Sequence, residues 1–379
     1  MVKPRTVGTE NLKVLVTGSK GFIGKNLCLH LKEDEDVEIL TFDRDDSEEM
    51  LRELLRSSDV VIHLAGENRP LSSTAFEEGN AGLTRRLCEI IRQCQSQATI
   101  LLASSIQATL DNSYGRSKFA SEQAAIQLHE KNGNTVSIWR FPGVFGKWCR
   151  PNYNSVVATF CHNIANDLPI EISDAGRKIP LIYIDDVVRS FIQFIKTPSP
   201  SITYPCVTPE YVVSLGEIAE QLLSFKDSRS SLLIGNVGSG LTGALYSTYI
   251  SYLPKHKFSY DVPMHTDDRG TFVEFFKHND SGQFSFLTAS PGVTRGSHYH
   301  HSKTEKFMVI RGTARFGFRN MITNETYDLE TSGEKSTIVE TIPGWAHDIT
   351  NISAEELVVM VWSNNIYNRS APDTVACAV

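Results

Sequence analysis

The 379-residue chain carries 44 Asp and Glu against 37 Lys and Arg, a formal net charge of -7. That balance excludes the basic surface with which a nucleic-acid binder holds phosphate. The length allows two domains with cores of their own. The seven cysteines are scattered and form no CxxC pair, which favours reduced thiols over a disulfide framework. The start, MVKPRTVGTENLK, has no apolar signal region, and no run of about 18 apolar residues offers a membrane span. A cytoplasmic protein without membrane insertion or a nucleic-acid partner is expected.

The first predicted element is a strand at 13–17 (KVLVT), followed at once by Gly18-Ser19-Lys20-Gly21-Phe22-Ile23-Gly24 and a helix over 25–31. Strand, glycine turn and helix together point to a dinucleotide site. Glycine permits a tight turn and close approach of a pyrophosphate, whose charge lies at the helix N-terminus. Gly18, Gly21, Phe22, Ile23 and Gly24 are therefore candidate cofactor-binding residues. A second strand at 37–42 ends in Asp43-Arg44. Asp43 is placed to accept a hydrogen bond from the adenosine ribose, and Arg44 to pair with a 2′-phosphate. With Lys20 and Lys25 nearby, the expected cofactor is NADPH.

A third strand, DVVIHLAG at 59–66, puts Leu64, Ala65 and Gly66 beside the cofactor at the carboxyl edge of a parallel sheet. His63 reads as a packed core histidine. The fourth strand, 99–103, ends in Ser104-Ser105, and Tyr114-Gly115-Arg116-Ser117-Lys118 then opens a helix running towards residue 130. Tyr114 and Lys118 are four apart and share a helix face. A tyrosine there can pass its proton to a carbonyl oxygen as hydride reaches the carbon. The Lys118 ammonium is expected to lower the phenol pKa towards neutrality and to hold the nicotinamide ribose. Asp185 and Asp186 read as helix-capping residues.

TGSKGFIG, HLAG, the SS before YGRSK, RFPGVFG and YIDDV resemble the extended short-chain dehydrogenase/reductase family. The resemblance covers the stretch ending near residue 250. It implies a doubly wound parallel sheet and a catalytic serine, tyrosine and lysine. These fall on a serine at 104 or 105, on Tyr114 and on Lys118. Ser105 is preferred for the serine, with Gln107 as a stand-in; the sequence departs from the family pattern here, since only eight residues separate Ser105 from Tyr114, fewer than the family usually has. Asn152, Asn154 and Arg177 fall in the variable region where such enzymes hold a sugar nucleotide.

After the Ser- and Gly-rich stretch 230–243 the pattern changes to short alternating apolar runs at 284–287, 306–310, 314–318 and 357–362. These predict an all-β sandwich or barrel. The boundary is set between a reductase domain at 1–250 and a metal-binding domain at 251–379. Within the latter, residues 292–312 follow the spacing G-x5-H-x-H-x4-E-x6-G, which places His298, His300 and Glu305; Pro343-Gly344-Trp345-Ala346-His347 adds a third imidazole. Two histidines at i and i+2 of a strand point to one face, and a carboxylate from the next strand can complete the pocket. Three histidines and a glutamate suit a divalent transition metal.

This spacing resembles the cupin (jelly-roll) metal motif, and PGWAHDITN resembles its second motif, with Pro343 and Gly344 adjacent where the family usually has one residue between. DDRGTFVE at 267–274 with RGSHY at 295–299 also resembles the sugar-nucleotide 3,5-epimerase family of cupins, in which that histidine is a base. One imidazole nitrogen cannot both bind a cation and take a proton, so ligation is assigned to His298, and Lys303 and Tyr299 become candidates for proton transfer. Across nearly the whole chain, TGSKGFIG, SSIQA before YGRSK, RFPGVFGKWCRPNYNS and GSHYHHSKTEKF are similar to a family of capsular polysaccharide synthesis enzymes. That resemblance implies C3 epimerisation of UDP-2-acetamido-2,6-dideoxy-β-L-arabino-4-hexulose in the cupin domain. NADPH-dependent C4 reduction to UDP-2-acetamido-2,6-dideoxy-β-L-talose would follow, on the path to UDP-N-acetyl-L-fucosamine. It also implies zinc and a homodimer. The alternative is a 4-ketoreductase alone, with the cupin as a structural, metal-binding dimerisation module.

Overall fold

Along β1 (Leu12–Thr17) Val14 and Val16 face one way and Leu15 the other, and all three are fully buried. That is the mark of a strand covered on both faces. In a computed structural model describing residues 11–68, 76–199 and 201–379, β1 joins β2 (Val37–Phe42), β3 (Val60–His63), β4 (Thr99–Ser105) and β5 (Val136–Phe141). They form one parallel sheet in the order β2-β1-β3-β4-β5. Helices α1 (Phe22–Leu31), α2 (Glu48–Ser57), α3 (Leu83–Gln93), α4 (Ser113–Asn132), α5 (Val156–Ala165) and α6 (Ile184–Lys196) follow in chain order. Leu27 and Leu31 of α1 and Phe191 of α6 pack on the Val14, Val16 and Ile62 face. Leu51, Leu87 and Leu128, from α2, α3 and α4, pack on the Leu15, Val61 and Ile100 face. The sheet is doubly wound. Strand order reverses between β1 and β3, and in such sheets the crevice for a ligand opens at the carboxyl ends beside that reversal. A short sheet, β6 (Gly143–Phe145), β7 (Lys178–Tyr183) and β8 (Tyr211–Ser214), completes this unit.

The second unit is all antiparallel sheet. One sheet runs β16-β13-β18-β11-β10-β9, built from β9 (Met264–Asp267), β10 (Gly270–His278), β11 (Gly282–Ala289), β13 (Glu305–Arg311), β16 (Ile338–Glu340) and β18 (Leu357–Ser363). The other runs β15-β14-β17-β12-β19, from β12 (Thr294–Tyr299), β14 (Thr313–Asn320), β15 (Thr326–Ser332), β17 (Trp345–Asn351) and β19 (Val375–Ala376). Phe307, Val309, Val359 and Val361 of the first sheet meet Ala314, Phe316, Phe318 and Ile349 of the second in one apolar layer. Strict alternation along each strand sends these residues inward. The result is a cupin-like sandwich.

Packing divides the chain less simply than a single boundary at 250/251. The first unit takes residues up to Leu222 and Ser239–Leu253; the second takes Leu223–Gly238 and Pro254–Val379. Helix α7 (Leu215–Ser231) carries the chain through the first crossing and α8 (Gly240–Ser251) lies in the return. Residues 232–234 stay with the second unit because they pair with Lys277: its N–H donates to the Leu232 carbonyl at 2.8 Å, and Ile234 N–H donates to its carbonyl at 2.9 Å. Among the described residues no helix is long and apolar enough to cross a membrane.

Candidate active sites

The glycine turn closes on β2 and β3. Gly18 has φ +73°, and its N–H donates to the Phe42 carbonyl at 2.8 Å. A Cβ at Gly18 would lie 2.8 Å from the Ala65 nitrogen, so only glycine fits both the backbone angle and the neighbour. Gly21 begins α1 without a side-chain cap, and Phe22, Ile23 and Gly24 form the first helical turn, where free N–H groups favour an anion. Asp43 holds this turn from the end of β2: its carboxylate accepts from Ser19 Oγ at 2.5 Å and Lys20 N–H at 3.1 Å. Arg44 is mostly exposed and pairs with Glu67.

Beneath Leu64, Ala65 and Gly66 runs a buried polar chain. Ala65 N–H donates to Thr17 Oγ1 at 3.3 Å, and Thr17 lies 2.7 Å from His63 Nδ1. On the other side His63 Nε2 lies 3.1 Å from Thr84 Oγ1, which itself donates to the Asn80 carbonyl at 2.9 Å. Each hydroxyl has one proton to give, so the network fixes a neutral imidazole with its proton on Nε2. Burial, helped by the Lys118 charge, pushes the His63 pKa down to about 3. His63 is the packed histidine expected from the sequence.

Tyr114 and Lys118 reach the same edge because Asn112 starts α4, its side chain accepting from Gly115 N–H at 2.8 Å. The Tyr114 hydroxyl donates to Asn68 Oδ1 at 3.1 Å. Lys118 donates to the Ala103 carbonyl at 3.1 Å, with Nζ 6.0 Å from the Tyr114 ring centre. Burial pushes the Lys118 pKa down to about 8, with the Glu122 carboxylate opposing. The phenol departs from expectation. Burial holds the Tyr114 pKa above its ordinary value, against a hydrogen bond with Ser105 that lowers it; desolvation penalises the phenolate more than its neighbours favour it.

The two serines diverge. Ser104 Oγ donates to Glu122 at 2.5 Å, and the fully buried Glu122 carboxylate also takes Arg140 Nε at 2.9 Å and a terminal nitrogen at 2.5 Å. Ser105 lies beside Tyr114, its oxygen accepting from Gln107 N–H at 3.1 Å. Asp185 and Asp186 lie in the first turn of α6 rather than at its cap, which is Tyr183. Asp185 pairs with Lys147 at 2.5 Å and Asp186 with Arg189 at 2.6 Å.

In the second unit His298, His300, Glu305 and His347 offer ligand atoms that all lie within 4.8 Å of one another. β12 and β17 of one sheet carry His298 and His347 as a facing pair, while Glu305 opens β13 of the other sheet. A register shift at Ser297, whose φ is +57°, re-aims His298 inward. Gly296, with φ +90°, lets the bulged strand approach the His347 carbonyl; a Cβ there would lie 3.1 Å from it. The Gly344 N–H donates to the His300 carbonyl at 2.8 Å, tying the two motifs together.

His300, Glu305 and His347 are buried. His300 Nε2 lies 3.3 Å and His347 Nε2 3.6 Å from Glu305 Oε2, and among the described residues neither ring nitrogen of His347 has a hydrogen-bond partner. Burial would raise the Glu305 pKa, but the two imidazoles and Lys303 hold it well below the usual carboxylate range. Burial, then His347 and His300, push His298 down to about 4, so its lone pair is free at neutral pH. Converging lone pairs, one carboxylate and an unpartnered buried imidazole fit a divalent cation. Lys303 Nζ sits 2.6 Å from Glu305 Oε1, so this candidate base is engaged with a ligand. Tyr299 packs against the His301 ring at 5.3 Å.

Residues 14–204 match the NAD dependent epimerase/dehydratase family, and residues 265–375 the polysaccharide biosynthesis C-terminal domain. The UDP-2-acetamido-2,6-beta-L-arabino-hexul-4-ose reductase of Pseudomonas aeruginosa is 56% identical over 368 residues, 97% of this chain and 99% of that protein. This chain belongs to the NAD dependent epimerase/dehydratase family. The crystal structure of capsular polysaccharide assembling protein CapF from Staphylococcus aureus matches with a TM-score of 0.91 at 40% identity, over 97% of this chain and 100% of that one. The dTDP-4-dehydro-6-deoxyglucose reductase of Escherichia coli is 28% identical over 47% of this chain and 71% of that enzyme.

Three polar residues of this family member escaped the sequence reading. Asn68 receives the Tyr114 hydroxyl. Asn80, buried in a π-helical turn at Glu77–Gly82, accepts from Glu67 N–H at 2.9 Å and donates to Ser117 Oγ at 3.0 Å. Glu122 anchors Ser104 and Arg140. For Glu122 a signal existed: it follows Lys118 by four residues and so shares its helix face. Asn68 and Asn80 carry no spacing that marks them.

Proposed function

We propose that this protein reduces the C4 ketone of a UDP-4-keto-6-deoxy sugar with NADPH in its first unit, after its second unit has inverted C3. The substrate would be UDP-2-acetamido-2,6-dideoxy-β-L-arabino-4-hexulose and the product UDP-2-acetamido-2,6-dideoxy-β-L-talose, a precursor of UDP-N-acetyl-L-fucosamine for surface polysaccharide. One observation carries this reading. Ser105, Tyr114 and Lys118 gather at the carboxyl edge of the parallel sheet, in a chain 56% identical over nearly all its length to a UDP-hexulose 4-reductase.

NADPH supplies the hydride when bound. The Gly18–Gly24 turn and the start of α1 would hold its pyrophosphate, Asp43 its adenosine ribose and Arg44 its 2′-phosphate, with Leu64, Ala65 and Gly66 along one side. Tyr114 gives its proton to the C4 oxygen; burial keeps the phenol protonated at neutral pH for that purpose. Ser105 donates a hydrogen bond to the same oxygen. Lys118, charged below about pH 8, holds the nicotinamide ribose.

In the second unit His298, His300, Glu305 and His347 would hold zinc or a similar cation, as the unpartnered nitrogens of His347 favour. That cation supplies Lewis acidity at the enolate oxygen when bound. Only while C4 is a ketone is the C3 hydrogen acidic, so epimerisation precedes reduction. The whole works as a cytoplasmic homodimer. A second reading, reduction alone, draws on the four protein ligands, which by themselves can close a tetrahedral structural zinc site.

The direct test is to mix the protein with the 4-keto sugar nucleotide and NADPH. One NADPH oxidised per C4 alcohol formed is expected. No oxidation of NADPH or NADH would overturn the proposal.

A further inference from the structure

Neither histidine motif includes the chain's last strand, yet that strand grips the metal-ligand turn at both ends. β19 pairs with β12, His298 opposite Ala376 and Tyr299 opposite Val375, and Cys377 N–H donates to the Ser297 carbonyl at 2.9 Å. Just before it, the Asp373 carboxylate accepts three consecutive backbone N–H groups, from His301 at 2.9 Å, Ser302 at 2.7 Å and Lys303 at 2.8 Å, and also the Ser302 hydroxyl at 2.8 Å. The backbone carbonyl of the same Asp373 accepts from His300 Nδ1.

The consequence is a fixed ligand. With its Nδ1–H donated to the Asp373 carbonyl, His300 turns Nε2 towards the centre of the set, 3.3 Å from Glu305 Oε2. A ligand histidine held this way at its other nitrogen does not need to reorient or change tautomer before binding a cation. His347 has no such partner, so the set depends on His300 for its preformed geometry. Charge-assisted bonds to three successive N–H groups hold the 301–303 turn and keep the Asp373 carbonyl against the ring.

We propose that Asp373 is a positioning residue for the metal site: its carboxylate fixes the 301–303 turn, and its carbonyl sets the tautomer and orientation of His300. This rests on the metal-binding reading of the four ligands. The test uses the full chain, stripped of metal. Zn²⁺ affinity is read by competition with a chromophoric chelator, and coordination geometry by the visible spectrum of the Co²⁺ form. Asp373→Ala is expected to weaken Zn²⁺ binding about 10–100-fold and to alter the Co²⁺ spectrum, with the melting of the metal-free protein little changed. Asp373→Asn keeps one acceptor oxygen and should recover part of the loss. Should Asp373→Ala fail to melt cooperatively without metal, Asp373→Ser is judged by the same criterion.

Wild-type affinity and spectrum in the alanine variant would overturn the role of Asp373 and leave the metal reading intact. Absence of Zn²⁺ binding by the wild type would overturn both.

Discussion

In the first unit the candidate reacting side chains come from neighbouring stretches, Ser105 at the end of β4 and Tyr114 and Lys118 in the first turns of α4. Each already has a protein partner: Gln107, Asn68 and the Ala103 carbonyl. In the second unit the four candidate ligands come from β12, the turn after it, β13 and β17, across two sheets, and His347 has no hydrogen-bond partner among the described residues. The contrast separates two ways of building a site. A proton donor must be poised by its surroundings, and here each side chain is held by a neighbour while burial sets the phenol pKa. A ligand set aims its atoms at a common point, and here the two ring nitrogens of His347 are left for a cation to satisfy.

The largest expected effect breaks the comparison at its first half. Tyr114→Phe should lower the rate of NADPH oxidation ~10²–10⁴-fold, the range of a lost general acid, while leaving deuterium exchange at C3 untouched. Loss of both activities would mean the two sites are not separate. His347→Ala attacks the other half: by removing a ligand outright, it should weaken Zn²⁺ binding about 100-fold or more, measured by metal content after dialysis. Unchanged metal would remove His347 from the set.

Arg140→Ala tests the buried support of the first site. It leaves the Glu122 carboxylate with Ser104 but without its cation and should cost about 1–3 kcal/mol in urea unfolding, against little change if the pair contributes nothing. A milder effect comes from pH. Lys118 is charged below about 8, so kcat/KM for reduction should fall as pH rises through 8, by up to about tenfold per unit; a flat profile to pH 9.5 would deny Lys118 that role. The smallest belongs to Arg44, exposed and paired with Glu67. Arg44→Ala should raise KM for NADPH about fivefold or less without changing KM for NADH, since exposed ion pairs contribute roughly 0.2–1 kcal/mol.

What was legible in the sequence follows the same contrast. Strand, glycine turn and helix, and the four-residue step from Tyr114 to Lys118, are local patterns with fixed geometry, and the structure places them as their spacing implies. The cupin spacing likewise brought His298, His300, Glu305 and His347 together, because alternation on antiparallel strands fixes which face each occupies. Other features depend on contacts distant in sequence. The Tyr114 phenol is governed by burial rather than by Lys118, and no spacing predicts how deeply a side chain is desolvated. Asn68, Asn80 and Asp373 act through partners 13 to 73 residues away, outside any local period. The single boundary near 250 missed the return of the chain at Ser239–Leu253, since composition records a change in pattern and not which unit a helix packs on.

The central claim, two chemistries in one chain, is tested most directly by NMR of a UDP-2-acetamido-4-keto-6-deoxyhexose incubated with the protein in D₂O without NADPH. Deuterium appearing at C3 is the predicted result, because the second unit would act before any hydride is supplied. No exchange at C3, with NADPH oxidation still proceeding on the same substrate, would contradict it and leave a 4-ketoreductase with a structural metal domain.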